Sequence, residues 1–204
     1  VKEVMVLRTG SKQNVYLRLV SVEPDRENPI NGALLSIGDS LEDKAMNIWI
    51  DNKFFEANNH NLNDEIEIVV SGKKRKLSIV GVASSPEFIY PLRTAADLYP
   101  SPETFGIAFI PLKSMEKLFP DEKTFNDIVF TMKPDTDFDK LKAELEVELK
   151  PFGLKGIIPR EEQVSHLLLS EELKGLVTMS KILPVMFLSI AAMILYITLK
   201  RVIE

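Results

Sequence analysis

The sequence contains no cysteine and only two histidines, His60 and His166, among its 204 residues. The absence of cysteine excludes disulfides, thiolate metal sites and cysteine nucleophiles. Two histidines without any cysteine also supply too few of the usual ligands for a structural zinc ion. No glycine-rich phosphate-binding loop is present. We therefore expect the chain to hold neither a metal nor a cofactor.

An excess of positive charge is also lacking. The formal net charge is -5, and the first 181 residues carry 23 basic and 29 acidic side chains. Binding to a phosphate backbone needs concentrated positive charge, so we expect no nucleic-acid partner. The basic run at residues 73–76 is interpreted as a solvated turn, with contact to anionic lipid headgroups or wall polymers as the alternative.

One catalytic motif occurs, but it is incomplete. Residues 38–41 read Gly-Asp-Ser-Leu, the block of a class of serine esterases in which Ser40 would be the nucleophile. A later Asp-x-x-His would complete the triad, but the residues three positions before the two histidines are Ala57 and Gln163. We therefore interpret the block as a polar turn and expect no catalytic residue and no enzyme. A membrane-anchored hydrolase remains the least favoured hypothesis.

Only one long apolar run is present. Ile182–Leu199 contains no charge, and 18 helical residues span roughly 27 Å, close to the hydrocarbon thickness of a bilayer. Pro184 would sit in the first turn of this helix. Lys200 and Arg201 follow at once, which places that end in the cytoplasm by the positive-inside rule. The alternative is a buried core helix.

This pattern predicts a protein of the bacterial cell membrane. Residues 1–181 would be extracytoplasmic, 182–199 would form the transmembrane helix, and 200–204 would begin a cytoplasmic segment. Because the chain has no second apolar run, we expect a longer protein with an earlier membrane segment before Val1.

The remaining sequence predicts an α+β core domain over residues 1–159. A strand at 2–8 and a strand at 15–22 would form a hairpin through a turn at 9–12. A strand at 47–50 would precede a short helix at 51–58 that is capped by Asp51. A second hairpin would turn at 71–73. In that hairpin one face carries Ile66, Ile68 and Val70.

A strand–helix–strand–helix–strand order is predicted from residue 105 to residue 159. The predicted elements are strands 105–110, 126–132 and 156–159 and helices 112–119 and 136–150. Thr136 and Asp139 resemble a capping box. This order favours a mixed, layered α/β subdomain, with a small mostly-β subdomain inserted at about 38–92. Residues 160–181 would then form a stalk helix that continues without a strong break into the membrane helix. The alternative is an ordinary surface helix that packs on its own domain.

The segment Ile48–Leu92 resembles the extracytoplasmic core domain of FtsX-like permeases, the MacB-like branch of ABC transporters. Val80-Gly81-Val82 and the run Ser85–Tyr90 fit the family pattern. Asn63-Asp64 stands where the family has Gly-Asp, so the turn glycine is missing. The C-terminal segment from Met179 onward is similar to the second transmembrane helix of these permeases.

The resemblance implies a porter-like layered subdomain and no ATPase activity in this chain. Its partners would be a cytoplasmic ABC ATPase subunit, reached through other parts of the permease, and a second permease unit or copy. The outer domain would transmit ATP-driven movement to a peptide, lipoprotein, cell-wall enzyme or other cell-envelope substrate. The alternative hypothesis is a single-pass, membrane-anchored extracellular sensor or adhesion domain.

Overall fold

A computed structural model of the chain describes residues 1–8, 13–24, 26, 29–43, 45–94, 96–120 and 125–203. The strands are β1 (Lys2–Val6), β2 (Val15–Val22), β3 (Leu34–Gly38), β4 (Asn47–Asp51), β5 (Glu65–Val70), β6 (Lys73–Ser84) and β7 (Phe105–Pro111). The α-helices are α1 (Asn52–Ala57), α2 (Leu112–Leu118), α3 (Phe138–Leu149) and α4 (Val164–Ile203). One compact unit spans Val1–Pro159, and a second begins at Arg160.

The first unit is built on a closed sheet. Its ring runs β6-β4-β7-β2-β1-β5, and β5 pairs back to β6. The β2–β7 and β4–β6 pairs are parallel, and the other pairs in the ring are antiparallel. Strand β6 closes the ring because it is long: its first half pairs with β5 and its second half with β4. Strand β3 pairs with the end of β6, outside the ring.

The barrel interior is filled by inward-facing aliphatic side chains. Alternate residues of β2 and β5 are buried as the period-two pattern predicts. These residues are Val15, Leu17, Leu19, Ile66, Ile68 and Val70. Each fully buried side chain of this kind contributes about 1.5–3 kcal/mol of transfer free energy. The two short helices add Phe54 from α1 and Met115 and Leu118 from α2 to the same core. Since α1 follows β4, α2 follows β7, and these strands are antiparallel, the helices lie at opposite ends of the barrel.

Two residues hold α1 against its end of the barrel. Asp51 caps the helix as predicted, since its Oδ1 accepts from the backbone N–H of Phe54 at 3.0 Å. Its Oδ2 accepts from the N–H of Ile107 at 2.7 Å, just beyond the last β4–β7 pair. Burial raises the pKa of Asp51, although these backbone hydrogen bonds oppose the shift. Gly106 leaves room for the helix, because a Cβ there would lie 2.4 Å from the ring of Phe54.

The fold is mixed α+β with a long apolar C-terminal helix, as the sequence predicts, but it differs from the expected layered arrangement. Strands β4, β5 and β6 come from within the proposed 38–92 insertion, yet they share one closed sheet with the flanking β1, β2 and β7. The alternation of side chains predicts which face of a strand is buried. It does not predict which strand lies beside it.

The strands predicted at 126–132 and 156–159 are wrong, since neither segment pairs with a described strand. The side chains of the first segment are exposed, including Phe130 and Met132. Helix α3 is capped by Asp137 instead of Thr136, because the Asp137 carboxylate accepts from the N–H groups of Asp139 and Lys140. Strand β3 was not predicted because all five of its side chains are exposed, so it shows no alternation. The predicted turn at 9–12 lies outside the described residues.

Candidate functional site

Helix α4 is the candidate functional element of the second unit. It runs without interruption from Val164 to Ile203, so its 40 residues span about 60 Å. The helix is long and apolar enough to cross a membrane. Gln163 caps the start of α4, because its side-chain Oε1 accepts a hydrogen bond from the N–H of His166 at 3.1 Å. Its last turn carries Lys200 and Arg201.

Hydroxyl groups in α4 bond within the helix. Ser189 donates to the carbonyl of Val185 at 2.7 Å, and Thr198 donates to the carbonyl of Ile194 at 2.8 Å. Satisfying these groups internally removes the cost of placing them among lipid tails. Pro184 lies inside the helix and not in its first turn, because the helix begins at Val164 and not at Ile182, where that prediction placed its start. Proline has no N–H, so the carbonyl of Ser180 lacks the usual donor four residues on.

The esterase-like block does not assemble a catalytic site among the described residues. Ser40 is exposed after β3, next to Asp39, whose carbonyl accepts from the indole N–H of Trp49 at 2.8 Å. His60 lies instead beside α1, with its ring stacked on Phe54 at 5.8 Å and its Nδ1 3.9 Å from a carboxylate oxygen of Asp64. The described contacts of His60 therefore do not include Ser40.

The basic run lies on the β5–β6 hairpin and is partly neutralised. Lys76 pairs with Glu65 at 2.6 Å, and Lys74 pairs with Glu67 at 3.7 Å, across the two strands. All four side chains of the run are exposed. Half of its positive charge is thus matched by acids of the same hairpin. The run is solvent-exposed as predicted, but it forms the first residues of β6 and not the turn, which lies at residues 71–72.

The loop after β6 is held against the outer face of β2. Arg18 donates to the carbonyl of Arg93 at 2.7 Å, and the guanidinium of Arg93 lies 3.5 Å from the ring centre of Tyr16. Glu3 on β1 accepts from Arg93 at 2.9 Å. Phe88 packs against Phe109 at 6.3 Å between ring centres, so this loop aromatic contributes to a second apolar cluster. Sequence reasoning missed the contact between Arg93 and Glu3, because the two residues lie 90 positions apart in the chain.

Comparisons with known proteins give a distant structural similarity. No protein-family model matches the sequence, and no curated protein matches it. A solved structure that resembles it is the periplasmic region of MacB from Actinobacillus actinomycetemcomitans. The TM-score is 0.35 and the sequence identity is 12%, over 74% of this chain and 63% of that chain. The chain thus spans less than two thirds of that structure, and the similarity is below the level that establishes a shared family.

Proposed function

We propose that this chain is the extracytoplasmic domain of an ABC transporter permease of the FtsX/MacB type, with no catalytic activity of its own. The observation that carries the proposal is the continuity of α4. A single helix contains both the uncharged apolar stretch at 182–199 and the stretch at 164–181, which carries charged side chains.

The length of α4 exceeds what a bilayer needs. About 20 helical residues span the hydrocarbon core, so roughly 20 residues, or about 30 Å, would project beyond it. The projecting part contains Glu171, Glu172 and Lys174, which favour water over lipid. A continuous helix carries a displacement at one end to the other, because its backbone hydrogen bonds resist bending. In α4 the helix continues through Pro184, where one of these bonds cannot form. Gly175 lies within α4 and does not interrupt it.

The direction of transmission follows from the charge at the helix end. Lys200 and Arg201 favour the cytoplasmic side by the positive-inside rule. A cytoplasmic ABC ATPase subunit, acting through other parts of the permease, would then move the helix end, and the barrel unit would respond outside. A peptide, lipoprotein or cell-envelope enzyme would be the substrate. The sequence resemblance at 48–92 supports this assignment.

Membrane topology is the first test. The chain has no cysteine, so Ser101→Cys and Val202→Cys each introduce one reactive thiol. Both positions are exposed. A membrane-impermeant maleimide on intact cells should label the Ser101 variant, and it should label the Val202 variant only after the cells are opened. Labelling of Val202 on intact cells would refute the orientation.

The second test concerns the ATPase. The full-length native protein should co-purify with an ABC ATPase subunit. Three glycines inserted after Gly175 should leave that complex intact but abolish transport or activation of the substrate, because the projecting helix would no longer be rigid. A matched insertion of three alanines preserves the helix and serves as the control. A correctly oriented protein without an ATPase would favour the anchored sensor or adhesion domain instead.

A further inference from the structure

A cavity of about 200 Å³ opens at the end of the barrel that α1 covers. Its floor is apolar and includes Val15, Phe54 and Ile66, all of which are buried. Its polar lining includes Arg8, Asn58 and His60. The volume is smaller than the roughly 300–1,000 Å³ of sites for drug-sized ligands, so it suits a single small group.

The side chain of Asn58 fixes the position of Arg8. Asn58 is 7% exposed, and its Nδ2 donates to the carbonyls of Phe54 at 3.0 Å and Pro102 at 2.9 Å. These two acceptors determine which end of the amide is nitrogen. Its Oδ1 must therefore face outward, where it accepts from Nη1 of Arg8 at 2.8 Å. A buried, fully bonded amide thus orients an exposed guanidinium.

Arg8 contributes a positive charge to the lining of the cavity. Among the residues that the structure describes, no carboxylate pairs with Arg8. Glu65 and Glu67 also line the cavity, but they pair with Lys76 and Lys74. A guanidinium has five N–H donors, and only one of them is used by Asn58. The remaining donors suit the two oxygens of a carboxylate.

His60 completes the wall of the cavity. Its ring stacks on Phe54, which adds to the apolar surface. Burial lowers the pKa of His60; Asp64 opposes this shift and Arg8 adds to it. The imidazole is therefore mainly neutral at pH 7, and Arg8 is the cation among the lining residues that the structure describes.

We propose that this cavity binds a carboxylate that carries a small aliphatic group, with Arg8 as the binding residue and Asn58 as its positioning residue. Two sources share this chemistry: a free acylated amino acid and the C-terminal residue of a peptide. The inference does not depend on the transport proposal, since binding can be measured on the chain without an ATPase.

The test is calorimetric titration of the full chain in lipid nanodiscs at pH 7. The probes are N-acetyl-leucine and the peptide acetyl-Gly-Gly-Leu, each compared with its C-terminal amide. Both acids should bind and both amides should not, because the amide lacks the charge that pairs with Arg8. Binding of N-acetyl-leucine alone would identify a site for the free acid. Equal binding of acid and amide, or binding of neither acid, would overturn the proposal.

Variants locate the binding. Arg8→Gln should lower the affinity for both carboxylate probes by at least about tenfold, because it removes a charge-assisted, bidentate contact. Arg8→Lys keeps the positive charge but not the planar guanidinium that bonds both carboxylate oxygens, so the loss of affinity should be intermediate. Arg26→Gln is the matched control, since Arg26 is an exposed arginine that does not line the cavity. Unchanged affinity in Arg8→Gln, or an equal loss in Arg26→Gln, would refute the assignment.

Discussion

Replacing Asp51 with alanine tests how the barrel end is held together. Asp51 satisfies two buried backbone donors, the N–H of Phe54 in α1 and the N–H of Ile107 in β7. Loss of the helix cap costs about 1 kcal/mol. Leaving the second N–H without an acceptor costs about 1–3 kcal/mol. The raised pKa of Asp51 shows that burial penalises the ionised carboxylate, and alanine removes that penalty.

We therefore expect Asp51→Ala to lower the free energy of unfolding by about 2–3 kcal/mol, or the melting temperature by roughly 5–10 °C. The one tryptophan of the sequence, Trp49, lies in the same strand and reports the transition by fluorescence. Asp51→Asn keeps one acceptor oxygen and should lose about half as much. Asp139→Ala, at an exposed position, should change stability by less than about 0.5 kcal/mol. If Asp51→Ala also changed the free energy of unfolding by less than about 0.5 kcal/mol, the capping argument would be refuted.

Three further predictions concern the same unit and use the same unfolding assay. Gly106→Ala should destabilise by about 1–3 kcal/mol, because the new Cβ would meet the ring of Phe54, and an unchanged midpoint would contradict the packing described above. Arg93→Gln should cost no more than about 1 kcal/mol, since its pair with Glu3 is partly exposed, and the loss should shrink in high salt. The lowered folded-state pKa of His60 means that the unfolded chain binds a proton first, so stability should fall as pH drops below 6.5 and level off below the folded-state pKa. That fall should be smaller in His60→Gln, and equal pH profiles would contradict the assignment.

The sequence predicted local structure far better than arrangement. Strand β2 and the cap at Asp51 follow from side-chain alternation and from the short polar side chain at a helix start, so both were predictable. The ring closure was not predictable, because it depends on which strands lie side by side over long separations. The segment at 126–132 is rich in residues that favour strands, but it pairs with no described strand.

The two candidate sites also differ in how far they could be predicted from the sequence. The continuous helix α4 was predictable from its apolar run and the absence of a strong breaker. The Arg8 cavity was not, since Arg8 and Asn58 are 50 residues apart and meet only because β1 and α1 reach the same end of the barrel. Neither residue belongs to a recognisable motif.

The sharing of β6 among three neighbouring strands has a kinetic consequence. Pairing β5 with β6 is local, but joining β6 to β4 and β5 to β1 requires chain segments far apart in sequence to meet. Folds dominated by such distant contacts assemble slowly, in roughly milliseconds to seconds, whereas a helix forms within about microseconds. Helix α4 by itself can therefore form much faster than the barrel closes. Amide hydrogens of β4, β5 and β6 should then exchange together, as one cooperative unit, while those of residues 164–181 in α4 exchange independently.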